Sequence, residues 1–160
     1  MLATVIFVLE QALVFLPNVQ LTVFLLVLYS KTLGFRKTVI ILTIYFILDM
    51  LIGIGGPMML AYIPFMYIGW LLIPITMCTI FKNVNNEHLL ALISAGLSFT
   101  YCWIFIIPSM ILFEIPFLGY LIADIPFEVI LASSSYISVL FLYKPLMKIF
   151  KEVLQIERIL

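Results

Sequence analysis

Charge is what this chain has least of. Only 10% of its 160 residues are Asp, Glu, Lys or Arg, against about 25% in an average soluble domain. Hydrophobic residues make up 66%. That balance excludes a soluble fold, and no polar stretch is long enough to form an added catalytic domain. Net charge is zero, so there is no basic surface for nucleic acid. Histidine is nearly absent: His88 stands alone, far in sequence from any other metal-ligating cluster. The two cysteines, Cys78 and Cys102, sit in apolar runs without a CxxC spacing and read as small buried hydrophobes. There is no Ser-His-Asp set, no glycine-rich phosphate loop and no Walker sequence, so neither an enzyme nor a cofactor or metal site is expected. The N-terminus lacks the basic flank and small-residue cleavage site of a secretory signal, so no cleaved leader is expected.

Long apolar tracts with short polar breaks remain, the pattern of an all-α integral membrane protein. About six spans are expected, at 2–16, 19–33, 38–52, 58–81, 89–107 and 122–143, in a single membrane domain. The tract 1–33 is broken by Pro17-Asn18-Val19-Gln20. These residues suit a tight turn at a membrane interface; one long kinked helix is the other reading. The third span carries Tyr45 and Asp49 on one face (i, i+4) and ends at the Gly-Pro-rich break 53–57. Pro74 is expected to kink the fourth. Ala91 and Ala95 in the fifth form a small-xxx-small pair suited to close helix approach. Residues 108–119 are expected to be an apolar loop. The tail 147–160 is amphipathic, with Ile149, Phe150, Val153, Ile156 and Leu160 on one side, and is expected to run as a helix along the inner surface.

All eight basic residues fall at 31–37, at Lys82 and from Lys144 onward. The positive-inside rule puts these regions, and both termini, in the cytoplasm. The polar residues of the spans then gather toward the outer face. Chief among them are Asp124 and Glu128, one turn apart on the same helical face. A carboxylate in a bilayer needs a partner, a ligand or water. Asp124, just before Ile125-Pro126, also reads as a helix cap; Glu128 has no such role. Asp49 serves equally to tie helices together. Trp70, Tyr101 and Trp103 suit either stacking on a ligand ring or anchoring at an interface. The run Ser133–Ser135 either back-bonds to its own helix or admits a close neighbour. Acidic residues without an outer Lys or Arg favour a neutral or cationic ligand over a carboxylate.

The stretches PNVQLTVFLLVLYSKTLGFRKTVIILTIYFILD, IGWLLIP and DIPFEVI…LYKPL together resemble the substrate-binding (S) components of energy-coupling factor (ECF) vitamin transporters. The resemblance covers nearly the whole chain. It implies a subunit that binds a vitamin or related micronutrient near the outer face of the bacterial cytoplasmic membrane. Such a subunit works with a transmembrane scaffold subunit and two cytoplasmic ATPases, which power uptake. The residues it implies for binding are Asn18, Gln20, Asp49, Trp70, Asp124 and Glu128, with Tyr101 and Ser135 as further contacts. Many family members dock on the scaffold through an Ala-xxx-Ala motif on the first helix. Here the first span has none, and Ala91 and Ala95 of the fifth span are the candidates. Two other functions fit a small apolar chain of this kind: a structural membrane scaffold of the MreD cell-shape type, and a self-sufficient secondary transporter with Glu128 as a proton site.

Overall fold

The computed structural model describes residues 1–52 and 57–157. The Gly53–Gly56 part of the Gly-Pro-rich break and the last three residues of the amphipathic tail lie outside the described residues. Every regular element in the described residues is a helix: α1 Leu2–Ala12, α2 Thr22–Leu33, α3 Phe35–Ile52, α4 Pro57–Cys78, α5 Glu87–Ile104, α6 Ile106–Phe113 and α7 Phe117–Glu157. The all-α reading therefore holds. Two stretches, Glu87–Ile111 and Phe117–Val153, are long and apolar enough to cross a membrane by length and composition.

The breaks follow local chemistry. Gly34, at φ +81°, separates α2 from α3 in a conformation that side chains resist. Asn86 caps α5 by accepting hydrogen bonds from the amides of His88 (2.9 Å) and Leu89 (3.4 Å). The expected 108–119 loop is instead mostly helical. Pro108 falls in the first turn of α6, where its missing N–H removes no bond. Glu114 then ends α6 in the left-handed region, with φ 54°. The tail is helical to Glu157 as the end of α7, which runs through Pro145 for 41 residues. Phe150 stays packed beside Tyr29, their ring centroids 5.7 Å apart, which holds the tail helix to the bundle.

Helix α2 is the central pillar. Every residue from Thr22 to Ser30 is buried, as a helix apolar on all sides requires, and it touches α1, α3, α4, α5 and α7. The most extensive pairing is α5 with α7. Ala91, Ser94 and Ser98 on α5 and Ala132 and Ser135 on α7 are all buried, and such small residues let two helices approach closely. Outside, the surface is apolar: Ile40, Ile44, Ile47 and Leu51 form an exposed stripe along α3.

The helices α1 and α2, 11 and 12 residues long, each rise only about 17 Å. Their connection therefore does not reach the end of the bundle. The Gln20 carbonyl accepts a hydrogen bond from Ser134 Oγ at 3.0 Å. Ser134 lies ten residues from Asp124 and ten from Lys144, about 15 Å along α7 from each. The Pro17–Gln20 break is thus a turn, but one placed halfway along α7 and not at the edge of the bundle.

Basic groups hold the other end together. The Lys31 ammonium donates to the carbonyls of Phe81 (2.5 Å), Lys82 (3.1 Å) and Val84 (2.8 Å), tying α2 to the segment that follows α4. Lys144 on α7 donates to Glu87 on α5 at 2.5 Å. That bond holds the Glu87 carboxyl below its ordinary value.

Candidate functional site

The other half of the bundle gathers the acidic residues. Glu10 and Gln11 occupy the last turn of α1, beside Tyr45 and Asp49 of α3. The Tyr45 hydroxyl donates to Glu10 Oε2, and Gln11 Nε2 reaches Asp49 Oδ1 at 3.5 Å. The i, i+4 spacing on α3 aligns Tyr45 and Asp49 so that each meets one member of the Glu10-Gln11 pair. Two carboxylates therefore sit together with a hydroxyl and an amide as their partners and, among the described residues, no cation.

The aromatic wall comes from α4 and α5. Trp70 is fully buried, and its ring stacks on Tyr101 with centroids 3.8 Å apart and planes 20° from parallel. Gly69 makes this possible: a Cβ there would lie 2.6 Å from Tyr101 Cδ2. The two rings thus use their faces on each other. Above them Tyr62 of α4 pairs with Ser109 of α6, hydroxyl to hydroxyl at 3.1 Å, and lies near the rings of Phe105 and Phe113.

Helix α7 supplies the third side. Tyr120, Asp124 and Glu128 recur every four residues and share a face. The cap reading of Asp124 is corrected: α7 begins at Phe117, two turns earlier, so its backbone amides already have helical partners. Glu128 is only 4% exposed, with Trp103 beside its carboxyl.

Among the described residues four buried side-chain atoms lack a hydrogen-bond partner: Gln11 Oε1, Gln20 Oε1, Trp70 Nε1 and Glu128 Oε1. All four belong to this half of the bundle or to the mid-bundle turn beneath it. Buried polar atoms nearly always have partners, and orphans mark places where water or a ligand completes the bonding.

The remaining sequence candidates divide. Asn18 takes φ 58° in the mid-bundle turn, a conformation that asparagine tolerates better than most residues. Ser135 is buried and bonded to Ser98 Oγ at 2.8 Å, so it joins α5 to α7 and is not free for a ligand. Ala91 is fully buried by the chain's own helices and presents no docking surface; Ala95, partly exposed, lines an open groove between α5 and α7 with Phe99, Tyr136 and Ile137. Glu10 and Gln11 were not anticipated. Their signal was present in the sequence, as two adjacent polar residues inside an otherwise apolar helix.

Comparison with protein-family models, with curated protein sequences and with solved structures found no match.

Proposed function

We propose that this chain is the substrate-binding subunit of an ECF-type uptake transporter in the bacterial cytoplasmic membrane. The observation that carries the reading is the set of orphaned buried polar atoms around two acidic pairs, inside a body whose exterior is apolar. An exposed stripe such as Ile40, Ile44, Ile47 and Leu51 suits lipid and would be a liability in water. The basic end faces the cytoplasm, with both termini there, and the acidic half opens outward. The α1–α2 pair, too short for two full passes, enters from the cytoplasmic side and returns, placing Gln20 on the pocket floor. The chain captures a vitamin or related micronutrient from outside. It hydrolyses no ATP itself, and a transmembrane scaffold subunit with two cytoplasmic ATPases supplies the energy. Docking on the scaffold uses surface other than Ala91, with the groove at Ala95 as one candidate.

Tight binding by the isolated chain tests this reading. A saturable small-molecule ligand that Asp124→Asn and Glu128→Gln weaken supports it. Full function with both substitutions in place would move the acidic pair to a purely structural role, as the cell-shape scaffold reading requires.

A further inference from the structure

A groove of about 670 Å³ opens at the basic end of the bundle, away from the acidic half. Its floor is α2, from Leu21 to Leu33. Its walls are α1 and α3 on one side and the end of α7 on the other, with Val5, Ile41 and Leu146 among them. Among the described residues α1 and α7 do not pack against each other, so the seam between them stays open. The lining is apolar, and Lys37 is its one charged side chain. Leu21 follows the mid-bundle turn and Leu33 ends α2, which makes the floor about 18 Å long. Half of a hydrocarbon core roughly 30 Å thick is about 15 Å. The groove therefore has the depth of one leaflet, running from the middle of the bundle to Lys37.

Charge decides what fits there. The ion pairs among the described residues all use Glu87. Arg36 and Lys37, exposed at the start of α3, have no carboxylate opposite them. Cations in the first turn of a helix work against its dipole, so neither residue serves α3 itself. On the turn of α7 that borders the groove, Lys148 and Lys151 outnumber Glu152. The mouth is positive and the interior apolar, which matches a lipid with an anionic headgroup. Its acyl chain would touch four helices in place of one, and basic pockets between helices on the cytoplasmic side bind such headgroups. A second copy of this chain fits poorly, because a twofold contact at this face would bring Arg36 and Lys37 up against their own counterparts.

We infer that the groove holds one acyl chain of an anionic phospholipid from the cytoplasmic leaflet, with the headgroup at Lys37 and Arg36. This rests on the membrane placement proposed above and not on transport. The test takes the full chain in mild detergent, stripped of lipid, and titrates it with phosphatidylglycerol or phosphatidylcholine of the same chain length. Native mass spectrometry counts the adducts. The first phosphatidylglycerol is expected to bind about tenfold more tightly than the first phosphatidylcholine. Arg36→Gln combined with Lys37→Gln should bring the two lipids within about twofold of each other. Lys82→Gln, at the same end but outside the groove, should keep the preference. Val5→Trp, which fills the groove from a partly exposed wall position, should weaken the first adduct of both lipids. An excess of inorganic phosphate should not displace the lipid, because the acyl chain carries part of the binding. Equal binding of the two lipids, a preference that survives the double substitution, or displacement by phosphate alone would overturn the inference. So would a second copy of the chain, or another polypeptide, held in place of lipid and released by Val5→Trp. Each of these results leaves the membrane placement standing, whereas failure to insert into vesicles of either lipid would remove both.

Discussion

Adding one methyl group at Gly69 should do more harm than its size suggests. A Cβ there would lie 2.6 Å from Tyr101 Cδ2 and 3.1 Å from Cε2. Tyr101 cannot swing aside easily, because its ring is pinned between Trp70 at 3.8 Å and Phe105 at 5.1 Å. Overpacking of this kind costs about 1–3 kcal/mol, and loss of the stacked pair adds roughly 0.5–1.5 kcal/mol. Replacing a helical glycine with alanine returns about 1 kcal/mol. Gly69→Ala should therefore be destabilising by about 0.5–3.5 kcal/mol, the balance of those terms. Gly96, in the middle of α5, is the internal control, since a Cβ there meets nothing within 4 Å. Gly96→Ala should stabilise by about 0.5–1 kcal/mol. Thermal unfolding in one detergent, followed by near-UV circular dichroism, compares the two. If Gly69→Ala is as stable as Gly96→Ala, with an unaltered aromatic signal, the stack is not the tight wall described above.

Removing the Tyr45 hydroxyl (Y45F) strips Glu10 of its donor and should destabilise by about 1–3 kcal/mol; chemical denaturation of the variant reads it, and no change would mean water takes the place of the hydroxyl. The Ser98–Ser135 bond should show a coupling of about 0.6 kcal/mol in a double-alanine cycle, and a zero coupling would reduce these serines to spacers. Gly34→Ala must hold a side chain at φ +81°, so it should lower the unfolding temperature even though the site has open space around it. The Glu87–Lys144 pair gives a pH signature. Because Lys144 lowers the Glu87 pKa from its ordinary 4.5, its contribution is present above that value and disappears as pH falls through the lowered one. The small difference in unfolding temperature between wild type and E87Q at pH 7 should therefore persist as pH falls past 4.5 and vanish only once Glu87 itself is protonated; a gap that outlasts that protonation would have another origin.

Composition and spacing made much of this legible. An apolar chain with short polar breaks has to be helical where backbone groups cannot reach water. The confinement of basic residues to three places identified the basic end before any contact was seen. The i, i+4 pairs Tyr45–Asp49 and Asp124–Glu128 reported shared faces directly. What escaped were properties of packing and length. That α2 would be the buried centre follows from its neighbours, since α1 and α4 are equally apolar. Pro108 and Pro145 look like breaks in a sequence, yet the first sits in a helix's opening turn and the second in a helix held by Phe150 on Tyr29. The stack of Trp70 on Tyr101 depends on Gly69, which sequence alone does not distinguish from a flexible residue. The Glu10-Gln11 pair was visible as an anomaly in α1, but its meaning needed α3 beside it.

The central claim is that this chain is the binding subunit of a larger transporter. The most direct test is mild-detergent purification of the tagged chain from its own membrane, with mass spectrometry of the proteins and small molecules retained. The account predicts two ATPases, one transmembrane scaffold subunit and one bound micronutrient. Recovery of cell-wall elongation proteins, with neither ATPase nor ligand, would contradict it and leave the acidic pairs as polar contacts between helices.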